Sequence, residues 1–223
     1  AESANGGAIT LKSNGNISTG NLNTSSSANA LSLFGNALAT SANGGAITLK
    51  SNGNISTGNI SSSSFALKIS SAIDFVELTY FSIFISSFSG NGDISNFIDN
   101  LSGDINIADF IGNISGDGGD ITMEAQSLQF GDIDSIGRLG GKITLDSKSQ
   151  LNIGNNNIIL GITTGENKGK GGNINLTAPS ISLTNFARVA NLTLFGQADG
   201  GDINVNAAEK VEIINEEDAI FSS

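Results

Sequence analysis

An internal repeat of 38 residues is the feature that most constrains the fold of this chain. Residues 3–22 and 41–60 are identical at 19 of 20 aligned positions, and only Leu22 and Ile60 differ. Segments this similar adopt nearly the same local structure, and repeats with periods of about 20–50 residues are typical of stacked architectures. The repeat therefore predicts a chain that stacks copies of one small unit.

A looser form of the unit continues through the second half of the chain. Gly-Gly followed by x-Ile-x-apolar occurs six times, with the glycines at 6–7, 44–45, 118–119, 140–141, 171–172 and 200–201. Glycine accepts the positive φ of a tight corner, and an alternation such as Ile9, Thr10 and Leu11 favours a strand with one inward face. The isoleucines predicted to point inward are Ile9, Ile17, Ile47, Ile55, Ile121, Ile143, Ile174 and Ile203.

Two architectures suit short strands that are separated by glycine-rich corners. One is a sandwich or barrel, and the other is a solenoid of stacked coils. Near-identical units favour the solenoid, because equivalent side chains then form ladders along the stack. The spacing of Gly15-Asn16 and Gly35-Asn36 predicts that each 38-residue unit makes two coils of about 19 residues. We therefore expect an all-β fold, a solenoid with coils of about 20 residues.

Composition excludes several classes of function. The 223-residue chain has 10 Lys and Arg against 21 Asp and Glu, which gives a formal net charge of −11. Sequence-independent nucleic-acid binding needs a basic surface, so we expect no nucleic-acid partner. The absence of His and Cys excludes disulfides, Cys nucleophiles and His-based acid–base catalysis. The longest apolar stretch, residues 75–88, is shorter than the roughly 20 residues of a spanning helix, so we expect no membrane span.

The repeats organise the chain as a single β-helical region over residues 1–223. Residues 1–60 hold the near-identical 38-residue units, and residues 61–90 form a degenerate, aromatic-rich segment. Residues 91–213 carry the looser Gly-Gly-x-Ile repeats, and residues 214–223 are a tail or a continuation. No second domain is predicted, because the same motif recurs in both halves.

Four units of the second half resemble the repeats of a known family. They read GGDITMEAQSLQFGDIDS (118–135), GGKITLDSKS (140–149), GGNINLTAPSISLTN (171–185) and GGDINVNAAEKVEI (200–213). These units resemble the repeats of filamentous-haemagglutinin-like exoproteins, the secreted partners of bacterial two-partner secretion systems. The resemblance implies a right-handed parallel β-helix, export through an outer-membrane transporter, and a secreted or cell-surface location. It also implies an adhesive role with a receptor or glycan as partner.

One departure from the family pattern concerns export. The family carries its export signal in an N-terminal secretion domain with Asn-Pro motifs, whereas the only Pro in this chain is Pro179. The chain therefore resembles an internal piece of a longer exoprotein. We expect a structural and adhesive rod that is not an enzyme, with no catalytic, cofactor-binding or metal site. The alternatives are a polysaccharide-binding or polysaccharide-degrading β-helix and a calcium-stabilised extracellular solenoid.

The two alternatives depend on acidic residues. The calcium candidates are Asp117 and Asp120 around one Gly-Gly pair, and Asp199 and Asp202 around another. Calcium takes 6 to 8 oxygen ligands, and the calcium-binding nonapeptide of toxin repeats is not reproduced here. The glycosidase candidates, Asp132 and Asp134, share a strand face, and such enzymes hold two carboxylates about 5–9 Å apart. We favour solvated corner residues for the four calcium candidates, and we expect no enzyme activity from the Asp132–Asp134 pair.

Two further segments have a functional and a structural interpretation. Residues 165–172 are rich in Gly and Lys, but the phosphate-binding pattern requires Ser or Thr where Gly171 stands, so we favour a flexible loop. The aromatic side chains of residues 65–88 suit either an exposed partner-binding patch or the interior of the stack. They are Phe65, Phe75, Tyr80, Phe81, Phe84 and Phe88. We favour the interior.

Overall fold

A computed structural model describes residues 2–32, 38–70, 116–154, 156–164, 169–193, 198–214 and 219–222. Every regular element in these ranges is a β-strand, and none is a helix. The strands are β1 (Ile9–Ser13), β2 (Ile17–Ser18), β3 (Leu22–Asn23), β4 (Ser26–Ser32), β5 (Ile47–Ser51), β6 (Asn54–Ser56), β7 (Ile60–Ser61), β8 (Ser64–Ser70), β9 (Ile121–Ala125), β10 (Ser127–Gln129), β11 (Ile133–Gly137), β12 (Ile143–Ser147), β13 (Leu151–Ile153), β14 (Ile158–Thr163), β15 (Ile174–Leu183), β16 (Arg188–Thr193), β17 (Ile203–Ile213) and β18 (Ala219–Ser222).

All strand pairs among the described residues are parallel, and they form four sheets. Sheet 1 contains β1, β5, β9, β12 and β15 in spatial order, with β13 and β17 also paired to β15. Sheet 2 contains β2, β6 and β10, and sheet 4 contains β4 and β8. Sheet 3 contains β3, β7, β11, β14, β16 and β18. The all-β prediction is confirmed, and the parallel strands in stacked sheets are consistent with a β-helix.

Each return of the chain to sheet 1 adds one strand beside the previous one. We call the segment that begins with such a strand a rung; the six rungs start at Ile9, Ile47, Ile121, Ile143, Ile174 and Ile203. Ile9 pairs directly with Ile47, and Thr10 pairs with Thr48. The prediction of two coils in each 38-residue unit is therefore wrong for this sheet, because the two units are immediate neighbours. The extra residues of each unit form the strands of sheet 4.

The rungs differ in length because the chain between the strands varies. Paired positions in sheet 1 are offset by 38, 74, 22, 31 and 29 residues in turn. The longest offset includes residues 71–115, which lie outside the described part of the chain. The register at Ile121 is nevertheless the same as at every other rung, since it pairs with both Ile47 and Ile143. The core strand therefore keeps its register across a long insertion.

The predicted inward isoleucines all face one continuous core. Ile47, Ile121, Ile143 and Ile174 are fully buried in sheet 1, and further residues of sheet 1 complete the core together with residues of sheets 2 and 3. Ile9 and Ile203 pack against the same cluster but are only partly buried, because they lie in the first and last rungs. The prediction of the inward face is thus confirmed at all eight positions.

From the second Gly-Gly pair onward, the second glycine of each pair allows the close approach between rungs. No glycine of the first five pairs has the positive φ that the sequence suggested, so that prediction is wrong. A Cβ at Gly45 would instead lie 2.6 Å from Gly7 C and 2.7 Å from Gly6 O. Gly119, Gly141, Gly172 and Gly201 meet the backbone of the preceding rung in the same way. The glycines therefore form a stack in which backbone packs against backbone.

One inward position of sheet 3 is polar and fixes this glycine stack. It lies two residues after the first core residue of the strand, and its buried occupants are Thr24, Ser62, Ser135 and Asn191. Thr24 Oγ1 donates to Gly45 O at 2.5 Å. Ser135 Oγ donates to Gly119 O at 3.0 Å and accepts from Gly141 N at 2.9 Å. Each of these buried hydroxyls is hydrogen-bonded, so its burial costs little free energy. The hydrogen bonds hold the Gly-Gly corners against sheet 3.

Candidate functional site

Asn and Asp side chains at the corners form ladders between rungs. Asn16 Oδ1 accepts from Asn54 N at 2.9 Å. Asn59 Oδ1 likewise accepts from Asp132 N at 3.0 Å, and Asp132 Oδ1 accepts from Ile158 N at 3.0 Å. Each side chain thus satisfies a backbone donor at or just before the start of a strand in the next rung. The recurrent Gly-Asn/Asp-Ile sequence therefore has a structural role.

The first pair of calcium candidates takes part in this bonding. Asp117 accepts from Arg138 Nη2, with 2.9 Å between Arg138 Nη2 and Asp117 Oδ1, and from Leu139 N at 3.3 Å. Asp120 Oδ1 accepts from Lys142 N at 2.8 Å. These carboxylate oxygens already have donors from the following rung. Calcium would have to compete with an ion pair and two backbone hydrogen bonds for them.

The second pair of calcium candidates lies at the last corner. Lys170 Nζ lies 2.7 Å from Asp202 Oδ2, and Lys170 also forms an isolated parallel bridge with Asp199. Within the described ranges, no group of three or more Asp or Glu side chains is arranged to hold a metal ion. The geometry of this corner therefore favours an ion pair at Asp202 and backbone pairing at Asp199.

The glycosidase candidates lie on the outer face of sheet 3. Asp132 and Asp134 flank the buried Ile133, as their spacing predicts. Asp134 Oδ2 accepts from Ser61 Oγ at 2.8 Å and from Ser63 Oγ at 2.7 Å. Both serines belong to the preceding rung, so this carboxylate also joins two rungs.

Burial changes the titration of both carboxyl groups. Loss of hydration raises the pKa of Asp134 to about 6, although the hydrogen bonds from Ser63 and Ser61 oppose the shift; the charge of Asp132 adds to it. Burial also raises the pKa of Asp132, and the hydrogen bond from Ile158 N opposes it. A raised pKa beside a second carboxylate suits a general acid, but both groups are engaged in contacts between rungs.

The raised pKa of Asp134 predicts a stability that depends on pH. The folded chain keeps the proton up to about pH 6, whereas the unfolded chain releases it near the ordinary value of 3.8. The folded state therefore binds more protons in this window, and the free energy of unfolding should fall as the pH rises through it. We expect Asp134→Asn to make the free energy of unfolding depend less on pH between the two pKa values of Asp134. Urea unfolding at several pH values in this range measures the effect.

A matched substitution separates this effect from a general loss of charge. Asp146→Asn removes a carboxylate whose partner is Lys148, on the outer face of sheet 1. We expect the variant to keep the fall in stability seen in the unsubstituted chain. Equal slopes for the unsubstituted chain and Asp134→Asn would contradict the assignment.

The remaining sequence candidates fall partly outside the described ranges. Residues 165–168 of the phosphate-loop candidate and residues 75–88 of the aromatic segment lie there. Gly171 and Gly172 belong to the glycine stack, where Gly172 N donates to Gly140 O at 2.7 Å. Phe65 is partly buried in β8. The described part of neither segment forms a binding site.

A groove at the outer junction of sheets 1 and 2 was not predicted from the sequence. Its volume is about 480 Å³, and it crosses the ends of the sheet 1 strands in the first four rungs. Its lining residues are Lys12, Ser13, Asn14, Lys50, Ser51, Asn52, Glu124, Ala125, Gln126 and Lys148. The repeat is the sequence signal that could have revealed the groove, because identical units place identical polar side chains side by side.

The groove concentrates positive charge on an acidic protein. Lys12 pairs in register with Lys50, so two like charges stand on adjacent strands. Lys50 Nζ lies 2.7 Å from Glu124 Oε1, and Lys148 pairs with Asp146. Among the described residues, Lys12 has no carboxylate within ion-pair distance. Like charges on neighbouring strands are unfavourable, so an anion between them would relieve the repulsion.

The lining also offers many hydrogen-bonding groups. Asn52 Nδ2 donates to Asn14 Oδ1 at 3.3 Å, and Ser51 Oγ donates to Gly15 O. Hydroxyl, amide and ammonium groups therefore all line the groove. This chemistry matches a polyhydroxylated ligand that carries a negative charge.

Comparisons of the chain with protein-family models, curated proteins and solved structures find no match. Within the described ranges, no helix is long and apolar enough to cross a membrane.

Proposed function

We propose that this chain is a right-handed parallel β-helix that serves as the rigid, adhesive rod of a secreted bacterial surface protein. The observation that carries the proposal is the stack of six rungs in sheet 1, in which the first Ile of each rung pairs with the first Ile of the next. Five strand spacings of about 4.8 Å give this stack a length of roughly 24 Å. A structure that repeats along one axis gains length and exposed surface with each added rung.

The right hand of the helix follows from chain sterics. Crossover connections between parallel strands of one sheet are right-handed in about 98% of cases. In this proposal a coil has a basic length of about 20 residues, and longer rungs carry protruding loops. The 22-residue offset between Ile121 and Ile143 is the one nearest to that length.

A structural role agrees with the uses of the acidic side chains. Asp120, Asp132 and Asp134 all accept hydrogen bonds that connect adjacent rungs. The polar groups most suggestive of catalysis thus contribute to the stack. We therefore place the protein outside the enzymes and assign its activity to its surface.

The adhesive ligand in this proposal is a glycan that carries carboxylate groups. The groove supplies Lys12, Lys50 and Lys148 for the carboxylates and Asn14, Asn52 and Gln126 for the hydroxyl groups. Ammonium–carboxylate hydrogen bonds are the stronger ones in such a site. Location at the cell surface or in the medium follows from the resemblance of the repeats to secreted exoproteins.

Binding to immobilised oligosaccharides tests the adhesive role. We expect uronic-acid oligosaccharides to bind more tightly than their neutral counterparts. The double substitution Lys12→Gln and Lys148→Gln should weaken this binding roughly tenfold, which corresponds to about 1.4 kcal/mol. Binding should also weaken as salt is added, because salt screens exposed charges.

Lys142→Gln provides the matched control for this experiment. Lys142 is exposed but lies at a Gly-Gly corner outside the groove. This variant should retain the affinity of the unsubstituted chain. Equal binding of acidic and neutral saccharides, or an equal loss in the control, would overturn the assignment of the groove.

A further inference from the structure

We propose that Asn52 and its repeat equivalent Asn14 are sites of spontaneous deamidation, which converts their side-chain amides into carboxylates. The described ranges contain four Asn-Gly pairs, at residues 5–6, 14–15, 43–44 and 52–53. Two of these pairs lie at the Gly-Gly corners, and the other two lie at the groove between sheets 1 and 2. The modification depends on the surroundings of each pair and not on the adhesive role.

Deamidation of Asn needs only the following backbone nitrogen and water. At residue 52 a bond forms between Gly53 N and Asn52 Cγ, the Cγ–Nδ2 bond breaks, and ammonia leaves with the proton of Gly53 N. Water then opens the resulting succinimide ring to give aspartate or isoaspartate. Because Gly has no Cβ beside its nitrogen, an Asn-Gly pair offers the least steric hindrance to this attack.

The corner pair of the second rung is held by the third rung at both of the groups that must react. Asn43 Oδ1 accepts from Asp117 N at 2.8 Å, and Gly44 N donates to Asp117 O at 2.9 Å. Asn43 holds Asn5 and Gly6 of the first rung in the same way. Attack by Gly44 N would break a backbone hydrogen bond between rungs, and such bonds open at a cost that approaches the stability of the local fold. The corner pairs are therefore protected.

The groove pair of the second rung is held much less firmly. Gly53 N donates to Ser51 Oγ at 2.9 Å, within its own turn. Asn52 Nδ2 donates to Asn14 Oδ1 at 3.3 Å, and no hydrogen bond joins Asn52 Oδ1 to another described residue. Asn52 is exposed although a described rung lies on either side of it. Attack by Gly53 N thus breaks a hydrogen bond to a rotatable hydroxyl and none between the backbones of two rungs.

The first rung repeats the arrangement of the second. Gly15 N donates to Ser13 Oγ at 3.0 Å, and Asn14 is exposed. The same sequence, Ser-Asn-Gly-Asn, surrounds both groove pairs, whereas the corner pairs are preceded by Ala and followed by a second Gly. The chain therefore carries two equivalent reactive pairs and two equivalent protected ones.

Deamidation would change the charge of the groove. Its lining contains three lysines and one carboxylate, a formal surplus of two positive charges. New carboxylates at residues 14 and 52 would cancel that surplus and repel an anionic ligand. This consequence, unlike the modification itself, rests on the proposed function: the groove would release its acidic glycan as the protein ages.

Mass spectrometry of peptides from the aged full chain tests the modification. Samples are kept folded, or unfolded in guanidinium chloride, in mildly alkaline buffer and are then cleaved after lysine. Residues 13–50 contain both Asn14 and Asn43, and residues 51–68 contain Asn52. In the folded chain we expect Asn14 and Asn52 to deamidate roughly tenfold faster than Asn43. In the unfolded chain the rates at the three sites should be similar.

Asn52→Gln provides the matched control for the chemistry. It keeps the amide, but its longer side chain would have to close a larger ring, which forms far more slowly. The peptide of residues 51–68 should then remain unmodified at residue 52, while Asn14 reacts as before. Circular dichroism of the aged samples checks that they are still folded.

Binding of uronic-acid oligosaccharides by fresh and aged samples tests the consequence for the groove. We expect ageing to weaken binding by the unsubstituted chain roughly three- to tenfold. The double variant Asn14→Gln and Asn52→Gln should bind equally well before and after ageing, each sample being compared with its own fresh state. Deamidation without loss of binding would contradict the role of the groove in adhesion and leave the modification itself established.

Two results would overturn the modification. One is equal deamidation of Asn52 and Asn43 in the folded chain. The other is equal protection of these two sites by folding, measured at each site as the rate in the unfolded chain divided by the rate in the folded chain.

Discussion

Replacing Ile121 by Asp should abolish cooperative folding of the central rungs. Ile121 is fully buried and pairs with Ile47 on one side and Ile143 on the other. Loss of a buried Ile side chain costs about 2–5 kcal/mol, and an unpaired carboxylate in an apolar core adds several more. The sum approaches the whole stability of a typical domain, roughly 5–15 kcal/mol. Thermal unfolding followed by circular dichroism measures the effect.

The neighbouring position provides the control for this substitution. Thr122 lies on the outer face of the same strand, between Thr48 and Thr144. Thr122→Asp introduces the same carboxylate in contact with water, so we expect a change of about 1 kcal/mol or less. If Ile121→Asp melted like Thr122→Asp, the inward register of sheet 1 would be incorrect.

Replacing Gly45 by Ala should destabilise the chain by about 3 kcal/mol, the upper part of the range for overpacking. The added Cβ would lie against Gly7 O, Gly7 C and Gly6 O. All three are backbone atoms, so relief requires two rungs to move apart. That movement would weaken the hydrogen bond from Ile9 N to Ala46 O, which is 2.9 Å long. Urea unfolding gives the change in free energy.

The repeat itself supplies the control for this substitution. Gly7 occupies the same position as Gly45 in a nearly identical segment, but a Cβ there meets nothing within 4 Å. Gly7→Ala should therefore leave stability unchanged or raise it by about 0.4–1 kcal/mol, since Ala restricts the unfolded chain. Equal destabilisation by the two substitutions would show that the requirement for glycine arises within the corner itself and not from packing between rungs.

The strands of sheet 1 are the part of the fold that the sequence predicted best. The Gly-Gly-x-Ile-x-apolar motif places the start of a strand at the Ile, and all six such strands begin there. Alternation also identified the inward residues. Both signals are local, because the two-residue period of a strand depends only on neighbouring positions.

The role of the glycines and the size of the repeat could not be read from the same signals. The sequence suggested positive φ at the Gly-Gly pairs, whereas the structure uses them for close approach, as at Gly45. The spacing also predicted two coils of about 19 residues in each unit, yet Ile9 and Ile47 are direct neighbours. Which segments become neighbours depends on pairing between distant rungs, and a local period does not encode it.

In the candidate sites, too, the sequence predicted the local placement of side chains but not their contacts between rungs. The spacing of Asp132 and Asp134 placed them correctly on one face, but only the pairing with Ser61 and Ser63 of the preceding rung gave Asp134 its hydrogen bonds and its raised pKa. The groove was likewise missed, although Lys12 and Lys50 occupy one position of the repeat. Its lining combines residues from the first four rungs.

The sequence by itself determined the short strands, the inward faces and the repetition of one unit, because these follow from local periodicity. The tertiary structure alone decided which rung lies beside which, and therefore the glycine stack, the corner ladders and the lysine groove. Register across an insertion such as the 74-residue offset between Ile47 and Ile121 is set by packing and backbone pairing. These contacts arise only when residues far apart in sequence meet, so they leave no periodic signal in a single rung.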